Sequence, residues 1–394
     1  TDKKLSKILV NDSHEVIYWL SKKGLKFVPI KGKQSFVVNG VTKYWGGLTL
    51  EVKNQGEGLV KSLTNIVKKN GIEIKYDVAA KKLIKKNNQI KGIGVLNKGN
   101  KELILCNSVI LACGGFEANS KMRSKYLGKG WDKAKVRGTK HNTGDGLNMA
   151  FEHDAARYGE WNGCHAVFHD MNGPKFSDLK IAAKYRKISY PWGIVLNANG
   201  ERFVDEGEDF RNYTYAKFGR EVIKQPKQFA WQIFDQKVRP MLYNEYDVKS
   251  ATKVKANSLE NLVKKLKGVN ANKALSTILK YNQSVNTKVK FDPTIKDGKN
   301  TKGLKINKSN WANKIDKSPF YAFGVTCGIT FTFGGLKINN KCEVLDNRKK
   351  PIKGLYAAGE MVGGIFYLNY PGGSGLMSGS VFGRIAGKYA AKLS

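Results

Sequence analysis

Residues 354–387, GLYAAGEMVGGIFYLNYPGGSGLMSGSVFGRIAG, hold ten glycines in 34 positions. Their layout constrains the fold more than any other stretch. LYAAGE reads as a short apolar strand ending in Gly359-Glu360, NYPGGSG as a loop, and LMSGSVFGRIAGKYAAK as a helix that starts just after it. Glycine lets backbone approach a ligand closely and take positive φ. A strand end, a glycine loop and a helix N-terminus together offer free N–H groups to an electron-rich group, and the helix dipole favours it. Gly379, Gly383 and Gly387 fall on one helix face, where they permit close packing.

A second apolar run, NSVILACGG, closes on Gly114-Gly115 and reads as a buried parallel strand that ends at a ligand. Before it, apolar periodicity predicts helices over 3–23 and 57–70. Strand patterns follow at IEIKY (72–76), across a hairpin with Asn87-Asn88 in its turn, and at KELILC. From about residue 161 aromatics, prolines and long polar stretches take over, with short helices predicted over 258–267 and 272–285. The glycine-rich strand character returns near 326. The expected class is α/β, a nucleotide-binding domain of residues 1–160 and 326–394 carrying a β-meander. An α+β capping domain, 161–325, interrupts it.

At 394 residues two domains are expected. The net charge of +37 raises the question of nucleic acid, but the lysines are dispersed, with no basic block, zinc-finger spacing or RNP-like strand. A solvated lysine-rich surface that attracts small anions is the better reading. Five cysteines without a CxxC pair argue against a disulfide framework and fit a reducing cytoplasm. His165 and His169 are four apart but lack a glutamate partner, so no metal site is expected. No run is apolar enough to span a membrane, and no signal peptide is visible.

LACGGFEAN (111–119), NTGDGLNMA (142–150), NANGERFVDEG (197–207), SPFYAF (318–323), FTFGGLKIN (331–339) and the opening stretch occur in an order that resembles the FAD-dependent fumarate reductase/succinate dehydrogenase flavoprotein superfamily. WGGLTLE, the segment around YPWGIVLNANGERFVDEGEDFRNYTYAKFGRE, and NYPGGSGL look most similar to FAD-dependent tricarballylate dehydrogenase. The resemblance implies a Rossmann-like domain holding FAD beneath the cap. It places Gly46, Gly47, Val78, Ala79, Cys113, Gly114, Gly115, Thr143, Gly144 and Asp145 along the cofactor. Gly359, Glu360 and Gly372, Gly373, Ser374, Gly375 and Leu376 join them, with the helix N-terminus at the flavin pyrimidine. The superfamily opens with a strand–GxGxxG–helix cradle for the pyrophosphate. Thr1 resembles a point downstream of it, so the first βαβ unit is expected to be missing from this sequence; a protein that has lost FAD is the alternative.

The superfamily reaction adds or removes hydrogen across a CH–CH bond beside a carboxylate, with hydride exchanged at flavin N5. By resemblance His165 binds substrate. Arg211, one residue further from GERFVDE than the superfamily pattern, is the proton donor or a carboxylate clamp. Two departures stand out: Phe331 replaces a substrate histidine and Tyr370 a loop arginine. Tyr370 becomes a candidate acid/base, as in the related ketosteroid dehydrogenases, and Thr330 and Thr332 candidate substrate hydroxyls. Arg186, Lys187 and Tyr190 fall at a proton-relay position without its glutamate, so anion binding is expected there. A small polycarboxylate, tricarballylate-like, and a separate electron acceptor are the implied partners. A fumarate reductase-like or ketosteroid dehydrogenase-like enzyme and an FAD-free binding protein are the alternatives.

Overall fold

The structure, a computed structural model, describes residues 1–30, 35–44, 50–181 and 183–393. Its first helix, Lys3–Lys22, starts where the Asp2 carboxylate accepts from the Lys4 and Leu5 N–H groups at 2.9 and 3.1 Å. It buries Leu5, Leu9, Val16 and Leu20 and packs on the C-terminal helix Ser374–Ala390. Gly24, at φ +107°, follows its end. The second helix, Gln55–Lys69, is amphipathic but buries no side chain fully. Residues 72–76 do not form the expected strand: among the described residues this backbone finds no ladder partner, and Ile72 and Tyr76 stand exposed.

The β-meander is present as Val78–Lys86, Gln89–Asn97 and Asn100–Leu105. Asn87 and Asn88, at φ +50° and +61°, make the two-residue turn that suits a twisted hairpin. Strand Val109–Leu111 pairs in parallel with Pro351–Ala357, Leu355 opposite Val109 and Ala357 opposite Leu111. That pairing brings the two glycine motifs, Cys113-Gly114-Gly115 and Gly359-Glu360, to the same end of one sheet. The first of these strands is less buried than its apolar sequence suggests, because Ile110 points to the surface.

Between residues 135 and 332 the chain builds a six-stranded sheet. Its long strand, Phe320–Thr332, pairs antiparallel with Cys164–Asp170, Ala230–Phe234 and Lys253–Ala256, and in parallel with Lys135–Val136. Ile194–Asn197 extends it beyond Ala230–Phe234. The boundary expected at residue 326 falls inside the long strand. The two predicted helices occur as Leu259–Lys264 and Ala271–Ser284, capped by Ser258 and Asn270 side chains. One buried apolar cluster draws its residues from 5–155 and 333–390; three others draw theirs from 131–329.

Candidate active site

The glycine motifs meet over a pair of buried carboxyl groups. The Gly144 N–H donates to the Gly115 carbonyl at 3.0 Å and the Ala118 N–H to that of Asn142 at 2.9 Å. These bonds tie the Thr143-Gly144-Asp145 turn to Gly114-Gly115. A Cβ on Gly115 would overlap both Thr332 Oγ1 and Glu360 Oε1. Thr332 donates its N–H and its hydroxyl to that same Glu360 oxygen, at 2.6 and 2.9 Å. Glu117, 2% exposed, lies against Glu360, and Asn142 Nδ2 donates to its Oε1 at 2.5 Å. Burial, then the neighbouring Glu360 charge, holds the Glu117 carboxyl well above the usual carboxylate range. Two carboxyl groups in one buried site do not both ionise readily, which favours a proton held at the pair. Thr332, expected at the substrate, thus supports Glu360.

Beside this floor the helix Ser374–Ala390 begins with no side-chain cap, at Gly373 with φ +87°. The Ser374 hydroxyl donates instead to the Pro371 carbonyl. Gly372, Gly373 and Leu376 are exposed, while the Gly372 and Ser374 N–H groups donate to the Asn212 and Pro371 carbonyls, both at 3.3 Å.

Against that opening stands an aromatic and cationic cluster. A Cβ on Gly375 would lie 3.2 Å from the Tyr370 ring and 3.4 Å from that of Phe331. Tyr370 stacks on Phe331 at 6.1 Å, meets Phe366 edge-on at 5.1 Å, and lies 4.6 Å from the His165 ring. The Tyr215 hydroxyl donates to that of Tyr370 at 3.3 Å. Burial keeps the Tyr370 phenol protonated. His165 is 1% exposed with neither ring nitrogen hydrogen-bonded; burial, then Arg137 and Arg186, holds it neutral. Arg211, at the start of the short helix Arg211–Thr214, lies over the rings of Tyr215 and Tyr243. Arg186 faces Tyr243 from 5.5 Å and pairs with Glu245 at 2.6 Å. Thr330 accepts from Arg137 Nη1 at 3.3 Å.

His165, Tyr370, Arg211, Arg186 and Thr330 therefore border one cluster. The buried Lys187 ammonium faces Asp170 at 3.4 Å and donates to the Glu245 carbonyl at 2.7 Å. Tyr190 is also buried, its hydroxyl 2.6 Å from Thr214 Oγ1. His169, held neutral mainly by burial with a pKa pushed down to about 3, has both ring nitrogens unpartnered. Val78 and Ala79 open the meander opposite Asn97 and Leu96. Cys113 is exposed beside Gly114. Gly46 and Gly47 lie outside the described residues.

Sequence reasoning missed Arg137, Tyr215, Tyr243, Glu245 and Glu117. Tyr215 follows Arg211 by one helical turn, a spacing that could have revealed it. Arg137 follows a two-residue strand that carries no periodicity. Among the described residues no helix is long and apolar enough to cross a membrane.

Known proteins resemble this chain over nearly its whole length. A probable fumarate reductase, Ifc3, of Shewanella frigidimarina is 30% identical over 397 residues, covering 99% of this chain and 62% of that protein. An NADH:acrylate oxidoreductase of Vibrio harveyi is 29% identical over 401 residues, covering 99% of this chain and 37% of that one. The solved open conformation of a flavocytochrome c3 fumarate reductase superposes with a TM-score of 0.72 at 27% identity, over 100% of this chain and 64% of that chain. The chain thus spans less than two thirds of the length of each of these relatives. With the two glycine motifs at one sheet end, the uncapped helix and a match to the family description across residues 1–376, the chain belongs to the FAD binding domain family.

Proposed function

We propose that this chain forms the cofactor floor and substrate wall of an FAD-dependent oxidoreductase that moves hydrogen across a carbon–carbon bond beside a carboxylate. The observation that carries the reading is the contact of Tyr370 and Phe331 with Gly375, at the open N-terminus of the helix Ser374–Ala390. It sets a neutral phenol, a neutral imidazole and guanidinium groups beside the place where the cofactor's backbone donors would be.

The residues present fit FAD. Gly359 leaves Cβ-free surface, Gly114 and Gly115 let the Asn142, Thr332 and Glu360 side chains close in beside it, and the helix N-terminus after Gly373 has a dipole that favours an electron-rich ring. Gly372 to Leu376 would hold the ring end, and Glu360, fixed by Thr332, the ribityl hydroxyls. Bound FAD supplies the hydride acceptor or donor. Arg211 binds and polarises a substrate carboxylate through its planar fork. The Tyr370 hydroxyl holds the proton exchanged at the adjacent carbon, steadied by Tyr215. His165 shapes the wall without adding charge.

The relatives named for fumarate and acrylate support reduction of a C=C bond beside dehydrogenation as a reading of the reaction's direction. Within that class we favour a tricarballylate-like polycarboxylate, since several cations border one cluster. The test is anaerobic. The chain is loaded with FAD, and its absorbance is followed with tricarballylate or succinate. The dithionite-reduced form is then mixed with fumarate, acrylate or cis-aconitate. Bleaching or reoxidation by a carboxylate supports the reading. A flavin that exchanges electrons with none of them overturns it, and transfer with succinate but not tricarballylate removes the tricarboxylate.

A further inference from the structure

The strand Phe320–Thr332 contains a bulge, and an arginine rests on it. His165 pairs with Phe331 and Ala166 with Ile329, so Thr330 is the extra residue between them. A bulge re-aims the side chain it carries. Arg137 lies alongside: its N–H donates to the Ile329 carbonyl at 2.8 Å, and Nη1 reaches Thr330 Oγ1 at 3.3 Å. The backbone of Arg137 is thereby fixed, one residue beyond the parallel pairing of Lys135–Val136 with Gly328–Ile329.

The charge around this guanidinium is not balanced. Among the described residues Thr330 is the one side chain that hydrogen-bonds it, and no carboxylate lies within ion-pair distance. Glu245, an acid acting on it, is paired with Arg186, itself a further positive charge toward Arg137. Asp170 is taken by Lys187. Of the phenols acting on Arg137, that of Tyr370 is held protonated by burial. Guanidinium has five donors in a rigid fork, and Thr330 uses one. A half-buried guanidinium with most donors unused and no carboxylate on it suits an incoming anion, which its fork can meet with two parallel hydrogen bonds.

We propose that Arg137 is a specificity-determining residue that binds a second carboxylate of the substrate, with Thr330 holding its fork in place. The proposal rests on the oxidoreductase reading for its substrate class. It adds a binding group drawn from a different element than Arg211, and it makes the number of carboxylates the property that the site selects.

The experiment compares the wild type with Arg137→Gln, which keeps a donor for Thr330, and Arg137→Lys, which keeps the charge. Tricarballylate, succinate and acetate are titrated into the FAD-loaded chain, read by flavin absorbance, and into the cofactor-free chain, read by the urea unfolding midpoint. Expected is a loss of roughly 10- to 100-fold in tricarballylate affinity for Arg137→Gln, with acetate changed less than threefold and partial recovery in Arg137→Lys. An equal loss for all three anions marks a structural role and overturns the proposal, as does no loss, or no carboxylate binding by the wild type in either form. Binding that depends on Arg137 without any electron exchange would keep this proposal and sink the oxidoreductase reading.

Discussion

Glu117→Gln tests the carboxyl pair beneath the glycine motifs. In the folded chain Glu117 is buried against Glu360, and burial followed by that neighbouring charge raises its carboxyl well above the usual range. The unfolded chain releases the same proton near pH 4.3, the ordinary glutamate value (roughly). Below that value both states hold the proton and the contribution to stability is complete. As pH rises toward the folded value, the folded state holds one proton more than the unfolded state. Stability then falls by up to about 1.4 kcal/mol per pH unit. Glutamine removes this titration. Its carbonyl still accepts from Asn142 Nδ2, and its neutral amide lies against Glu360 without adding charge. Urea unfolding of both proteins between pH 4 and 9 gives a difference curve in which shared titrations cancel. The two should converge near pH 4, and the glutamine variant should become the more stable as pH rises, until wild-type Glu117 has lost its proton. A difference that does not change with pH, or one that favours the wild type at high pH, would refute the shared proton.

Gly115→Ala pushes a methyl group into Thr332 Oγ1 and Glu360 Oε1, and should cost about 1–3 kcal/mol in urea unfolding. Gly138→Ala, whose added Cβ meets nothing within 4 Å, is the control, and equal midpoints for the two would remove the crowding argument. Tyr370→Phe keeps the packing on Phe331 and Phe366 but deletes the hydroxyl. Rapid-mixing measurements should show flavin reduction slowed roughly 10²–10⁴-fold with substrate affinity little changed, and an unaltered rate removes Tyr370 as the acid/base. Lys187→Met strands the Asp170 carboxylate, still held by the Thr252 N–H and hydroxyl, and should destabilise the chain by about 3–5 kcal/mol. Weakened substrate binding at unchanged stability would instead return Lys187 to the substrate wall.

Local pattern revealed the elements whose partners lie nearby in the chain. The first helix, the Asn87-Asn88 hairpin and the glycine strand–loop–helix are each written in spacing and turn chemistry. What failed depended on distant partners. IEIKY has strand composition but no edge to pair with, and NSVILACGG is apolar yet leaves Ile110 at the surface. Site residues divide the same way. His165, Arg211 and Tyr370 stand out by motif and meet in space. Arg137 reaches the cluster only because a parallel pairing carries it there, and Glu117 gains its character from Glu360, 243 positions along the sequence. The role of Thr332 depends likewise on Glu360, whose carboxylate its sequence neighbours do not disclose.

The bulge at Thr330 makes the local architecture adjustable by a single residue. On one side of it the ladder from Ile329 back to Val325 stays in step with Ala166–Asp170; on the other, Phe331 and Thr332 are displaced by one place against His165 and Cys164. Insertion or loss of one amino acid here changes which side chains look into the cluster, while the rest of the sheet keeps its register. A common scaffold can in this way exchange one set of wall residues for another without a new fold, and the selectivity of the pocket becomes a question of chain length at one point as much as of side-chain identity.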